Sequence, residues 1–491
     1  MRCTREGCAL FWRAHDYRGD AIFLTMEPPR STLPPPRIAV LGAGITGLTA
    51  AWHLQRAGLD PVVFDQAARA GGAIGAVRRE GWLHELGPNS LLEGSAEVAT
   101  FIDALGLGPR RLYAGPEAKQ RYIVRDGRLV AMPASPWAFA TTTLFSWRAK
   151  LALLGEPWRR RSPADAEESV AEFVVRRLGR EFLDYAINPF VGGVYAGDPV
   201  RLSVRHAFPK LHALEQEHGS LIRGALARRN TSGGPKGRIF SFPDGLEELP
   251  LTLARALGGA LRLNHRVLSV GRTADGWRIE AEAAGVRSAE TFAAVVCALP
   301  AGALAGLTFE NVPGGERLAL LREIEHPPVA SVFTGYRRDQ VAHALDGFGV
   351  LVPQVEHRRM LGTLFSSTLF PGRAPAGHVG LTTFVGGMRD PQLTQLDDPA
   401  LLRVVQGELE HFFGAKGPPV YTHVQRWPRA IPQYTLGYQR FKDAVDAVQA
   451  AAPGLLIGGN ARDGISLANC IESGRRLADA AAQQVAPTVS R

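Results

Sequence analysis

The stretch 37–72, RIAVLGAGITGLTAAWHLQRAGLDPVVFDQAARAGG, constrains this chain more than any other, because its glycines fall in register with a strand, a helix and a second strand. The apolar run Ile38 to Leu41 reads as a buried parallel strand, and Gly42, Gly44 and Gly47 then fill the three positions of G-x-G-x-x-G. In such a turn the first glycine permits the tight reversal, the second lets a pyrophosphate approach the backbone, and the third lets helix and strand pack closely. A helix over Thr46 to Ala57 is expected to stop at Gly58, with Pro61 to Phe64 as the second strand and Asp65 at its end. An acid about 20 residues past the first glycine is placed for a ribose hydroxyl, and the N–H groups and dipole at the helix start favour phosphate. A glycine turn alone is a weak signal. Strand, helix, strand and terminal acid in one register narrow it to dinucleotide binding.

Immediately beyond lies Arg69-Ala70-Gly71-Gly72. This R-x-G-G pattern brings a further backbone loop against the phosphates in flavoprotein oxidases and desaturases, and so points to FAD rather than NAD. Arg69 is either a phosphate partner there or a surface arginine in a glycine loop.

At 491 residues the chain is too long for one compact core, so two or three domains are expected. No 18 consecutive residues are apolar, which excludes an obvious membrane-spanning helix. Cys3, Cys8, Cys297 and Cys470 show no paired C-x-x-C spacing, and no histidine falls in an H-E-x-x-H pattern. Neither a disulfide framework nor a metal site is expected, and a reduced, cytoplasmic compartment fits best. Residues 1–36 lack the long apolar core of a secretory signal and end in a cluster of prolines, which reads as a disordered extension. Met26 is a candidate start of translation.

The formal charge of +9 is uneven: residues 134–240 carry 16 Lys or Arg against 10 Asp or Glu. Within them, Leu144 to Arg161 mixes Trp147, Leu151, Leu154 and Trp158 with Arg148, Lys150 and the run Arg159 to Arg161. Tryptophans and large apolar groups beside clustered cations suit an in-plane segment at an anionic membrane surface. They equally suit a core-facing amphipathic helix with a solvated basic face. Nucleic acid is disfavoured because no binding motif for it accompanies the charge.

After a glycine- and serine-rich break at Asn230 to Gly237, residues 237–257 read as strand, turn and helix, and residues 261–300 alternate like hairpin strands with a turn at Ala274 to Gly276. Val329 to Gly386 is again β-rich, a helix follows over Pro399 to Phe413, and Gly454 to Gly474 reads as strand, glycine turn and helix. A strand that returns to the dinucleotide domain and delivers a helix start near a flavin has this form. The expected layout is an extension, 1–36; FAD-binding segments at 37–115, 241–300 and 426–491; the start of a substrate domain with a helical membrane-associated region, 116–240; and a β-rich substrate domain, 301–425.

Several blocks together resemble the protoporphyrinogen oxidase family and its coproporphyrinogen oxidase relatives of the oxygen-dependent flavin type. They are Gly42 to Gly47, Arg69 to Gly72, ELGPN (Glu85 to Asn89), KQRYIVRDG (Lys119 to Gly127), GFGVLVP (Gly347 to Pro353), LGTLFSS (Leu361 to Ser367), IPQYTLG (Ile431 to Gly437) and CIESG (Cys470 to Gly474). The glycine motif is shared by many flavin amine oxidases and desaturases, whereas LGTLFSS and IPQYTLG are much narrower. The resemblance, which spans nearly everything from Arg37 onward, implies an α/β, multi-domain architecture. A Rossmann-like FAD-binding domain would carry a β-rich substrate domain and a helical membrane-binding insertion, often as a homodimer peripherally associated with a membrane. It implies six-electron oxidation of a porphyrinogen, with dioxygen as acceptor and hydrogen peroxide as product.

By the same resemblance, FAD contacts fall on Gly42, Gly44, Ile45, Thr46, Gly47, Asp65, Arg69, Gly72, Gly87, Pro88, Val267, Gly464, Ile465 and Ser466. The family often has Glu where this chain has Asp65, and the shorter acid can still accept from ribose. Arg121 matches an arginine that holds a substrate propionate, and Asn89 a polar position near the reacting carbon, although Asn89 also suits a structural turn amide. Val352 and Phe370 are candidate walls of the ring pocket, and both could equally be core. A porphyrinogen enzyme needs a flavin, an apolar slot and a cation at one end, and the flavin supplies the redox chemistry. Cys470 could be a covalent flavin anchor, but a small buried residue and a non-covalent FAD are the expectation. A flavin amine oxidase, a carotenoid-type desaturase and a non-catalytic flavin-binding protein are the rival readings.

Overall fold

In the first strand, β1 (Arg37–Leu41), successive side chains enter different cores. Ile38 and Val40 pack with Leu48 and Leu54, whereas Ala39 and Leu41 face Val295 and Trp277. Burial on both faces is what a parallel sheet covered on each side demands, and here the expectation holds. The sheet has five strands in the order Leu261–Arg262, β2 (Asp60–Phe64), β1, Ala294–Cys297 and Leu455–Ile457, all parallel. Its strands come from three separated stretches of chain. The computed structural model describes residues 34–163, 165–231 and 237–485. Met26 and most of the expected extension lie outside the described residues, as do residues 232–236 of the glycine- and serine-rich break.

The helix after β1, α1 (Ile45–Arg56), is buried along most of its length, and the last helix, Leu467–Val485, packs across it. Close approach requires glycine at the crossing: a Cβ on Gly474 would lie 2.4 Å from the Thr46 carbonyl oxygen. A four-stranded sheet, Val286–Phe292, Gly276–Ala283, Arg266–Thr273 and Thr308–Glu310, adjoins this domain through contacts of its strands with β1 and Ala294–Cys297.

A seven-stranded sheet runs in the order Tyr421–Trp427, Val329–Arg337, His378–Gly386, Met360–Leu364, Gly347–Leu351, Gln120–Arg125 and Arg128–Ala131. One face buries Val332, Leu381 and Val385 against Leu401, Val405 and Leu409 of the helix Asp398–Phe413. Those three helix residues recur every fourth position, Asp397 caps the helix by accepting the Ala400 N–H at 2.8 Å, and Gly414 ends it at φ 60°. Each fully buried aliphatic side chain contributes roughly 1.5–3 kcal/mol. The basic region is helical. Its helix Trp147–Leu154 is short, and it turns Trp147, Leu151 and Leu154 outward rather than into the core.

Candidate functional site

The glycine turn is built for a ligand at one position and for packing at another. A Cβ on Gly47 would stand 1.9 Å from the Gly42 carbonyl oxygen, so helix and turn touch there. A Cβ on Gly44 would meet nothing within 4 Å. Gly44 is also the N-cap of α1, where no side chain caps the helix and no acid occupies the first turn. The first-turn N–H groups of Ile45, Thr46 and Gly47 thus have no intrahelical partner and face an open space suited to phosphate.

The Arg69–Gly72 loop docks on this turn. The Gly71 N–H donates to the Ala43 carbonyl at 2.8 Å, and Gly71 bridges Gly44 as a one-residue strand. Arg69 does not project freely: its guanidinium donates to the carbonyls of Ile74 at 2.7 Å and Gly72 at 3.0 Å, which braces the loop. Gly87 lies against the same loop, because a Cβ there would sit 2.2 Å from the Ala73 carbonyl oxygen. Pro88 and Asn89 follow directly.

At the far end of β2, Asp65 accepts the Ala43 N–H at 2.7 Å and the Ala67 N–H at 2.8 Å, one on each carboxylate oxygen, and each oxygen retains a lone pair for a hydroxyl. The His265 N–H donates to the Asp65 carbonyl at 2.8 Å, and half-buried Val267 follows two residues after His265. Gly464 adopts φ 119°, Ser466 accepts the Asn469 N–H at 3.1 Å to start the last helix, and half-buried Ile465 lies between them. Cys470 is 6% exposed, its Sγ lies 3.8 Å from the Gly464 carbonyl, and burial pushes the thiol up to about 11. Among the described residues no cluster of three metal-ligating side chains occurs.

The narrow motif IPQYTLG has a structural job that its residue types alone did not reveal. The Tyr434 hydroxyl accepts the Gly464 N–H at 2.9 Å and donates to the Asn460 carbonyl at 2.5 Å, while the Tyr438 hydroxyl donates to the Ala461 carbonyl at 2.6 Å. Two buried phenols therefore clamp the glycine loop. Asp463 clamps it from the other side by accepting the Gly459 N–H at 3.0 Å and the Ser473 hydroxyl at 2.5 Å.

Arg121 pairs with Gly349 near the start of the parallel pairing of Gln120–Arg125 with Gly347–Leu351. Its guanidinium is exposed, lies 5.4 Å from the centre of the Phe348 ring and has no carboxylate partner among the described residues. Phe348 packs in one cluster with Ala118, Leu364, Leu369 and Phe370. Phe370 and Asn89 in turn line one small cavity. Cation, aromatic wall and amide are thereby joined in one continuous run that ends beside the glycine loops. Val352 sits elsewhere: it is fully buried in the core between the seven-stranded sheet and its helix. The sequence reading assigned nothing to Glu85 or Arg373, which also line the Phe370 cavity and bond to each other at 3.2 Å.

Comparison with known proteins agrees with this geometry. Residues 45–482 match the family of flavin containing amine oxidoreductases. Protoporphyrinogen oxidase 2, chloroplastic/mitochondrial, of Arabidopsis thaliana is 34% identical over 90% of this chain and 93% of its own. The mitochondrial protoporphyrinogen oxidase of Nicotiana tabacum is 35% identical over 90% of this chain and 94% of its own. Coproporphyrinogen III oxidase of Bacillus subtilis is 26% identical over 89% of this chain and 96% of its own. Among solved structures, an Exiguobacterium sp. 255-15 protein assigned provisionally as a protoporphyrinogen oxidase matches with TM-score 0.76 at 24% identity, covering 90% of this chain and 98% of that one. Putrescine oxidase bound to putrescine matches with TM-score 0.66 at 15% identity, covering 91% of this chain and 98% of that one. The chain belongs to the flavin containing amine oxidoreductase family, and it is a flavin-dependent oxidase.

Proposed function

We propose that the chain is an FAD-dependent, oxygen-using oxidase that converts protoporphyrinogen IX to protoporphyrin IX, with hydrogen peroxide as the second product. The observation that carries this reading is the run from Arg121 through Phe348 and Phe370 to Asn89, a cation at one end of an aromatic wall beside the dinucleotide turn. An unpaired guanidinium is suited to a propionate, which it binds with a bidentate fork. An amine oxidase would instead favour a cage for a cation, and the exposed arginine opposes that. The names carried by relatives 34% and 35% identical support the porphyrinogen reading.

FAD would lie with its pyrophosphate over Gly44 and the start of α1, its ribose at Asp65, and its ring toward Gly464, Ile465 and Ser466. Gly42, Gly47, Gly72, Gly87, Pro88 and Val267 shape that cradle, and Arg69 keeps its second loop closed. A flavin held there would supply the hydride acceptor for the substrate and the route of electrons to dioxygen. The protein's own task is orientation: Arg121 fixes one carboxylate, Phe370 forms a wall, and Asn89 holds the reacting edge. The buried, protonated Cys470 thiol favours a cofactor held without a covalent bond.

A homodimer and a membrane-facing helical region complete the reading. The latter rests on Trp137, Trp147 and Trp158, which are 77%, 66% and 78% exposed. Aerobic porphyrin fluorescence from the purified yellow protein, given protoporphyrinogen and coproporphyrinogen separately, tests the reading. Preference for coproporphyrinogen would move the chain to that sister activity, and silence with both would remove the porphyrinogen assignment. Arg121→Ala should raise KM about tenfold with little change in kcat, the loss of one charge-assisted contact; an unchanged KM with collapsed kcat would refute its role.

A further inference from the structure

The cavity that Asn89 and Phe370 share is lined also by His84, Glu85, Ser366 and Arg373. Glu85 and Arg373 are both 3% exposed at their side chains, and they join distant parts of the chain. Glu85 Oε1 accepts from Arg373 at 3.2 Å and from the Leu246 N–H at 3.0 Å, while Arg373 also donates to Ser241 Oγ at 2.8 Å and lies over the Phe370 ring at 5.5 Å. Three polar atoms here are buried and have no protein partner among the described residues: Glu85 Oε2, Arg373 Nη1 and His84 Nδ1. Buried polar groups are nearly always bonded, and when protein atoms do not serve, an ordered water does. A polar cavity shared by all three residues is where that water belongs.

Resting on the porphyrinogen reading above, we propose that Glu85 is the proton acceptor of the reaction, taking through cavity water the N–H proton that the substrate ring must release. In each two-electron cycle a meso C–H bond breaks and its electron pair leaves as hydride to the bound oxidised flavin. In two of the three cycles a pyrrole N–H bond also breaks, its pair stays on the ring to complete the new double bond, and its proton passes to the Glu85 carboxylate. In the third the proton comes instead from the last meso CH2, so that four C–H and two N–H bonds break in all. The carboxylic acid then returns the proton to solvent before the next cycle. No other carboxylate lines this cavity.

The surroundings suit the task. Burial pushes the Glu85 carboxyl up to about 7 against the opposing pull of Arg373, the Leu246 N–H and Ser241. Glu247, the N-cap of the helix Glu248–Leu257, raises it further, while Arg78, Asp244 and Glu248 act on Arg373. The adjacent His84 is driven down to about 3 by burial and by His423, so it stays neutral and does not compete as a base. A base whose affinity for the proton lies near the working pH is the efficient one.

The test compares the flavin-loaded wild type with Glu85→Gln and Glu85→Asp. Wild-type kcat should rise with pH through about 7 and level off, because only the ionised carboxylate accepts. Glu85→Gln should keep its flavin and KM, lose kcat on the order of a hundredfold, and show no such limb, with partial recovery and a displaced limb in Glu85→Asp. Infrared titration supplies a readout without turnover: a carboxylic-acid C=O band present below about pH 7 in wild type and absent in Glu85→Gln. A Glu85→Gln enzyme that retains the wild-type rate or the same limb overturns the proposal alone. If Glu85→Gln fails to fold, the Glu85→Asp limb decides: an undisplaced limb overturns it. A wild type inert toward every porphyrinogen overturns the parent reading with it, and the infrared titration separates the two failures.

Discussion

At the residue scale, Gly44 and Gly47 look alike in a motif but do opposite things in space. Gly47 is required by the protein's own packing, since any side chain there meets the Gly42 carbonyl oxygen at 1.9 Å. A Cβ on Gly44 would meet no protein atom within 4 Å, so only a ligand needs its bareness. Gly44→Val should therefore fold with a nearly unchanged Tm yet purify colourless, whereas Gly47→Val should lose stability itself. Flavin absorbance and thermal unfolding on the two variants check this, and a yellow Gly44→Val protein would place the phosphates elsewhere. Both glycines were legible because the motif is local. Glu85 and Arg373 were not, because they stand 288 residues apart and only folding brings a carboxylate to a guanidinium. Val352 misled for a related reason. In an apolar strand run such as GFGVLVP, alternate residues face opposite sides, and the sequence does not say which side is the pocket.

At the scale of elements, the βαβ unit, the hairpins after residue 261 and the helix after Asp397 were readable from period and turn chemistry within one or two residues. The strand Gln120–Arg125 was not identified as one. Its partner Gly347–Leu351 lies more than 200 residues further along the chain, and parallel pairing leaves no local signature. The clamp on the flavin loop was likewise half visible: the IPQYTLG block stood out, but its purpose lies in hydroxyls that reach Asn460, Ala461 and Gly464. Tyr434→Phe removes one hydroxyl and leaves the Gly464 N–H and the Asn460 carbonyl unpaired in a buried place. That should cost about 1–3 kcal/mol and weaken flavin retention on the order of tenfold. Dialysis against flavin-free buffer followed by titration back with FAD measures it. Wild-type affinity in the variant would show that the loop keeps its shape without the phenol.

On the scale of the whole molecule, the exposed tryptophans raise the question of what their surface meets. Trp147, Leu151, Leu154 and Trp158 are 66%, 55%, 66% and 78% exposed, and exposed Arg148 and Arg160 lie among them. The patch is firmly mounted. Glu156, fully buried two residues before Trp158, accepts from Arg177, from Ser220 Oγ at 2.5 Å and from the Leu221 N–H at 2.9 Å. Although burial alone would raise the Glu156 carboxyl, these bonds outweigh it and hold the group below the usual carboxylate range, so it stays charged and bonded at neutral pH. Apolar area held outward on a rigid mount, with cations beside it, is suited to an anionic lipid surface, where each nearby Lys or Arg adds about 1 kcal/mol. Wild-type protein should therefore sediment with vesicles containing phosphatidylserine, and less with pure phosphatidylcholine or at high salt. The pair Trp147→Ser and Trp158→Ser should weaken that binding on the order of tenfold or more while leaving turnover of detergent-dispersed porphyrinogen intact, since neither side chain lines the Asn89 cavity. Should wild type and the double variant bind both kinds of vesicle equally poorly, the tryptophan face serves some surface other than lipid.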